Sequence, residues 1–231
     1  MKKVLGVLLY DNVQPMDFIG LWEVLGTWKN GLGAPLEMHL ISEQGGEVKC
    51  VNEITVKAHC DFSSAPAIDY LFIPGGMGRL SATNNEVLIE FIKKQAKHAE
   101  YILSVCTGMF LLYKAGLLDN KLATTYWRAL PEAYTLPNIK IVEERIVKNG
   151  KLWLAGGVAS CIDLAFEFIE EIAGKDEAGK VQLLFENFPT PKVYCSPKLA
   201  DTLPLYYTAK EGDKSQLAKY IYDYIAENGK D

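Results

Sequence analysis

The sequence is poor in the residues from which metal-built or disulfide-stapled folds are made. Only three histidines occur, His39, His59 and His98, and none sits in a metal-ligand motif. The five cysteines, Cys50, Cys60, Cys106, Cys161 and Cys195, are odd in number and include no C-x-x-C pair, which argues against a disulfide framework and a structural zinc site. Basic charge is also short: 24 Lys and Arg stand against 29 Asp and Glu, a net charge of −5, so a broad nucleic-acid surface is not expected. Lys93, Lys94 and Lys97 alternate with apolar residues at helical spacing and read as a solvated helix face. No apolar run approaches the ~18 residues of a membrane span. Met1-Lys2-Lys3 is followed by a short β-rich run that Asp11-Asn12 ends, with no small-residue cleavage site, so no secretory leader is expected and the chain is placed in the cytoplasm. Internal repeats and low-complexity segments are absent.

What is present is an ordinary globular composition, 49% apolar and 23% charged over 231 residues. A chain of that length buries on the order of 70% of its unfolded surface and needs no staple. Short β-rich runs alternate with helical patterns, the signature of an α/β fold with a mainly parallel sheet. Strands are expected at Val4–Tyr10, Leu36–Ser42, Asp69–Pro74, Tyr101–Val105 and Leu152–Ala155, with hairpin strands in Glu43–Cys60 and further β at Ile139–Val142 and Arg145–Lys148. Helices are expected at Met16–Trp28, Glu86–His98, Thr107–Ala115, about Ala159–Ala173 and about Asp176–Phe185. One domain is expected over residues 1–190. Residues 191–231 read as an irregular Pro-rich connection and a tail helix, Ser215–Asn228, docked by Leu217, Ile221, Tyr224 and Ile225.

Three motifs carry chemistry. In Ile102-Leu103-Ser104-Val105-Cys106-Thr107-Gly108 a buried strand runs straight into a cysteine and a helix starts at once, as in a nucleophile elbow. The helix N-terminus favours thiolate, so a lowered pKa is expected for Cys106, against the alternative of an inert buried cysteine. Ile73-Pro74-Gly75-Gly76 ends another strand, where ligands bind in open parallel sheets. Its amides, with that of Thr107, could form an oxyanion hole, although Pro-Gly-Gly alone is only a turn. Asp17 follows the first strand at the same sheet edge, where on its own it reads as a helix cap.

The set Pro15-Met16-Asp17, Ile73-Pro74-Gly75-Gly76, Ser104-Val105-Cys106-Thr107-Gly108, Ala123-Thr124-Thr125-Tyr126-Trp127 and Gly156-Gly157-Val158 resembles the DJ-one/PfpI (ThiJ) superfamily over about residues 3–188. That resemblance implies a flavodoxin-like, glutamine-amidotransferase-like three-layer sandwich. Within the superfamily the pattern is most similar to the isocyanide (isonitrile) hydratases, in which an aspartate accompanies a Cys-Thr-Gly elbow. It implies a homodimer acting on a small molecule, with no metal or organic cofactor. It also implies Cys106, Asp17 and Thr107 as catalytic residues and Gly75, Gly76, Tyr126 and Trp127 as the oxyanion- and substrate-binding set. One departure is Tyr126, where relatives read Thr-Thr-His-Trp; another is Thr107, where protease-like members have histidine. Both weaken amidase and protease readings.

The implied reaction is hydration of an isonitrile to an N-substituted formamide through a Cys106 thioimidate, with Asp17 as general acid and base. The rivals are an oxidative-stress sensor acting through Cys106 oxidation, glyoxalase- or deglycase-type activity, and a sensing domain of a transcription regulator, for which the tail is short and not basic. Cys161 reads as a small core residue, and Trp22, like Tyr126 and Trp127, as core or pocket wall.

Overall fold

The computed structural model describes residues 2–209 and 216–229. Its centre is a seven-stranded sheet. In chain order the elements are β1 (Lys3–Leu8), α1 (Pro15–Leu32), β2 (Leu36–Ser42), β3 (Gly46–Lys49), β4 (Thr55–Ala58), β5 (Cys60–Asp61), β6 (Tyr70–Ile73), α2 (Arg79–Thr83), α3 (Glu86–His98), β7 (Tyr101–Val105) and α4 (Met109–Lys114). They continue with β8 (Leu122–Ala123), α5 (Leu130–Ala133), β9 (Lys140–Ile141), β10 (Ile146–Asn149), β11 (Leu152–Ala155), α6 (Ser160–Ala173), α7 (Lys175–Phe185) and α8 (Lys219–Asn228).

The strand order is β10-β11-β7-β6-β1-β2-β5, parallel throughout except where β10 meets β11. Parallel strands covered by helices bury both faces, so they read as unbroken apolar runs. Tyr70-Leu71-Phe72-Ile73 and Leu152-Trp153-Leu154-Ala155 are buried at every position. One helical layer is α1 packed on α6 and α7; the other is α2, α3 and α4, giving the three-layer α/β sandwich. The chain winds outward from β1 on one side through β2 and on the other through β6, β7 and β11. The carboxyl ends of β1, β6, β7 and β11 therefore converge beside the point where the winding reverses, the usual ligand crevice of such sheets.

Several boundaries move from the sequence expectation. β1 stops at Leu8 and α1 runs to Leu32, because Pro15 opens it and Gly33, in the left-handed conformation (φ 73°), ends it. The helix expected from Thr107 is a 3₁₀ turn over Cys106–Gly108, with regular α-helix only from Met109. The tail helix begins at Lys219; Ser215, its expected start, lies outside the described residues. Tyr224 is half exposed rather than docked, and the tail helix is instead preceded by the buried Ala218.

Candidate functional site

Cys106 is the first residue after β7, and its backbone is left-handed, φ 56°. For a residue with a Cβ that conformation costs roughly 1–2 kcal/mol and persists only where neighbours impose it. Here they do. The Cys106 amide donates to the Gly156 carbonyl beyond β11 (2.6 Å), and the Cys106 carbonyl accepts from the Thr125 hydroxyl (2.8 Å). One residue earlier in β7 than Val105, the Ser104 hydroxyl donates to the Ile73 carbonyl (3.0 Å). Close approach requires two glycines: a Cβ at Gly108 would stand 2.3 Å from the Ile73 oxygen, and one at Gly75 would stand 2.5 Å from the Thr107 nitrogen and 3.0 Å from the Cys106 Cβ. The elbow read from the sequence is thus built by three strand ends together.

Asp17 lies in the first turn of α1 but does not cap it. Its side chain is fully buried, and Oδ2 accepts the Gly75 amide hydrogen at 2.8 Å, while Oδ1 has no hydrogen-bond partner among the described residues. Burial raises its pKa to about 8, against the opposing pull of the Gly75 N–H and the neighbouring Cys106 side chain. The carboxyl group is therefore held largely protonated at neutral pH.

The expected lowering of the Cys106 pKa is not found. Cys106 is only 6% exposed, and burial, then the charge of Asp17, pushes the thiol well above its ordinary value. The Thr107 N–H and hydroxyl and the charge of Arg79 act in the opposite direction without prevailing. Sequence reasoning credited the helix end and could not see the desolvation. Cys106 and Asp17 are a coupled pair that retains protons.

The structure also reassigns the Gly-Gly amides. The Gly75 N–H is taken by Asp17, and the Gly76 N–H donates to Thr107 Oγ1 at 3.0 Å. They fix two side chains rather than stand open as donors. Thr107 is buried beside Cys106, and its hydroxyl also approaches the Gly76 carbonyl at 3.4 Å. Tyr126, half-buried, packs 3.2 Å from where a Cβ on Gly157 would stand. Trp127 stands behind it, edge to face, with centroids 6.1 Å apart. Trp22 stacks instead on His59, and His39 lies edge-on to the same ring, so that aromatic belongs to another part of the fold. Cys161 is a core residue: its buried thiol donates to the Met16 carbonyl (3.2 Å), and burial, with Asp17 adding, pushes its pKa to about 12.

Sequence reasoning missed Tyr10, Arg79, Tyr206, Tyr207 and Tyr220. Tyr10, buried, donates to the Pro74 carbonyl (2.9 Å) and feels both Asp17 and Cys106. Arg79, 2% exposed, is gripped by both oxygens of Glu132 and stacks over Phe110 at 3.9 Å. An arginine at the start of a short helix gives no sign in sequence that it will be buried. Among the described residues no group of three or more His, Cys, Asp or Glu side chains is placed to hold a metal ion, and no helix is long and apolar enough to cross a membrane.

Comparison with known proteins agrees with this fold. The chain is 34% identical over 190 residues to the isonitrile hydratase of Pseudomonas putida, covering 81% of this chain and 79% of that one. It is 25% identical over 186 residues to protein dj-1beta of Drosophila melanogaster, covering 78% of this chain and 95% of that one. A solved ThiJ/PfpI family protein from Pseudomonas syringae superposes with a TM-score of 0.75 at 21% identity, over 99% of this chain and 88% of the other, which speaks for the fold. The profile of the DJ-1/PfpI family matches residues 2–171, so the elbow, the buried aspartate and the Gly-Gly turn all fall within it, and the chain belongs to the DJ-1/PfpI family.

Proposed function

We propose that the protein is a hydro-lyase that adds water to an isonitrile, R–N≡C, and releases an N-substituted formamide. The observation that carries this reading is the pairing of Cys106 with a buried carboxyl group whose pKa is about 8. Such a group can give a proton and take one back near neutrality. The 34% identity to an isonitrile hydratase supports the same reaction.

In the first step Asp17 protonates the terminal carbon as sulfur bonds to it, giving the thioimidate R–N=CH–S–Cys106. A thiol that enters the step protonated passes its hydrogen to the Asp17 carboxylate left behind, so no strongly ionised resting thiolate is required. In the second step the Asp17 carboxyl group, reprotonated by the thiol, gives its proton to the imine nitrogen, and the carboxylate so formed takes a proton from water as the water oxygen adds to the same carbon. Collapse of the adduct R–NH–CH(OH)–S–Cys106 breaks the C–S bond as the hydroxyl proton passes to the leaving sulfur, which restores the thiol and frees R–NH–CHO. The Thr107 amide and hydroxyl steady the sulfur as charge builds on it. Tyr126 and Trp127 belong to the substrate wall in this scheme. A homodimer is part of the same reading, and light scattering at micromolar concentration is expected to return twice the 25.7 kDa chain mass.

The test is an absorbance assay with an aryl isonitrile. Native protein is expected to turn it over, and Cys106→Ala and Asp17→Asn each to lose at least about 10³-fold in kcat, the scale of a missing nucleophile or acid. Retained activity in either variant removes that residue from the scheme. Selective Cys106 dioxidation by mild peroxide without isonitrile turnover would favour the sensor reading, and lactate release from methylglyoxal the glyoxalase reading.

A further inference from the structure

Beyond residue 171 the chain leaves the segment that the family profile matches. The stretch that follows nevertheless returns to the site. The Tyr220 hydroxyl lies 2.7 Å from where a Cβ on Gly156 would stand, and the Gly156 carbonyl is the group that holds the Cys106 amide. Next to it Gly157 carries the Tyr126 ring, Tyr126 meets Tyr206 edge-on with centroids 5.7 Å apart, and Tyr206 lies 4.4 Å from Tyr207. A continuous aromatic run thus passes from the strand end beside Cys106 into the tail. Cys106 itself is only 6% exposed.

Apart from Tyr206, which rests against the core, and the buried Ala218, the tail is fastened by polar contacts. No residue of α8 is buried. Arg79 Nε donates to the Tyr207 hydroxyl (3.1 Å), Arg128 Nη2 donates to the Pro204 carbonyl, and the Lys219 amide donates to Glu143 Oε2 (2.7 Å). Arg79 is well suited to the task, since Glu132 occupies both Nη groups and leaves Nε for Tyr207. Segments held by a few polar contacts open at low cost compared with the core.

We propose that Tyr206, Tyr207 and Tyr220 are specificity-determining residues: they roof Cys106, and the Arg79–Tyr207 hydrogen bond fastens the roof, so that the site admits slender electrophiles and turns broad ones away. A linear –N≡C group is one such slender electrophile. The roof itself does not depend on that substrate.

The experiment measures modification of Cys106 in the full-length protein by a slender reagent, methyl methanethiosulfonate, and a broad one, 5,5′-dithiobis(2-nitrobenzoate). Rates are read by mass spectrometry of the Cys106 peptide, because the exposed Cys195 and half-buried Cys60 also react. The ratio of the two rates cancels changes in thiol ionisation. Tyr206→Ala and Tyr220→Ala are expected to raise the broad reagent's rate about tenfold more than the slender one's. Tyr207→Phe keeps the ring and loses only the charge-assisted bond, so both rates should rise by roughly three- to tenfold. An unchanged ratio in both alanine variants, or native rates in Tyr207→Phe, overturns the proposal. Thiol reagents need a reachable sulfur that can ionise but neither proton transfer from Asp17 nor attack by water, so this outcome is separate from whether isonitriles are turned over.

Discussion

Replacing Asp17 by Asn should make the protein more stable at pH 8 than the native chain, and the gain should vanish in acid. The folded carboxyl group has a pKa of about 8 against an ordinary 3.8. Because the folded value is the higher one, the native fold binds this proton more tightly than the unfolded chain does. The contribution is favourable and complete below pH 3.8 and is lost progressively as pH rises to about 8, at up to ~1.4 kcal/mol per pH unit. Between pH 5 and pH 8 the native protein should therefore lose roughly 3 to 4 kcal/mol from this group alone. Asn is close to isosteric and neutral, and its side-chain oxygen still accepts the Gly75 amide hydrogen, so the variant lacks this slope. Urea unfolding of both proteins in reductant at half-unit steps from pH 5 to 8 isolates the term, since every other group titrates in both and cancels in the difference. A difference that does not change with pH would mean that Asp17 is ionised in the fold, and the acid role given to it would have no support.

The remaining predictions concern packing, charge and redox chemistry. A Cβ on Gly20 would stand 2.4 Å from Cys161 Sγ, so Gly20→Ala should cost roughly 1–3 kcal/mol, and Cys161→Ala should relieve most of that loss. Additive losses in urea unfolding would contradict the contact. Glu132→Gln leaves a 2%-exposed arginine without its counter-charge and should lower stability by about 2 kcal/mol or more, read as a fall in Tm. A change within error would show that Arg79 finds other partners. Because the Cys106 sulfur is buried and its pKa raised, mild peroxide at neutral pH should oxidise the exposed Cys195 before Cys106, as judged by peptide mass spectrometry. The opposite order would favour the sensor reading.

The central strands and the elbow were legible because both rest on local pattern. The fully apolar runs of β6 and β11 announce strands buried on two sides, and a strand ending in Cys-Thr-Gly announces a sharp turn. The direction of the Cys106 pKa was not legible, since it follows from how much water the folded site excludes, and that depends on Asp17 and a tail about a hundred residues away. Asp17 looked like a cap because any acid in a first helical turn does; only the position of Gly75 reveals what its oxygen accepts. Arg79 and the tail tyrosines carried no signal for the same reason: their roles are contacts across the fold, with no period or spacing to expose them.

The backbone at Cys106 is pinned from outside its own segment, by a carbonyl beyond β11 and a hydroxyl beyond β8. A half-made or heat-frayed chain in which those distant pieces have not yet met must relax this residue to an ordinary extended or helical geometry. The geometry of the elbow is then a property of the assembled sheet: incompletely folded copies carry the cysteine but not its aim.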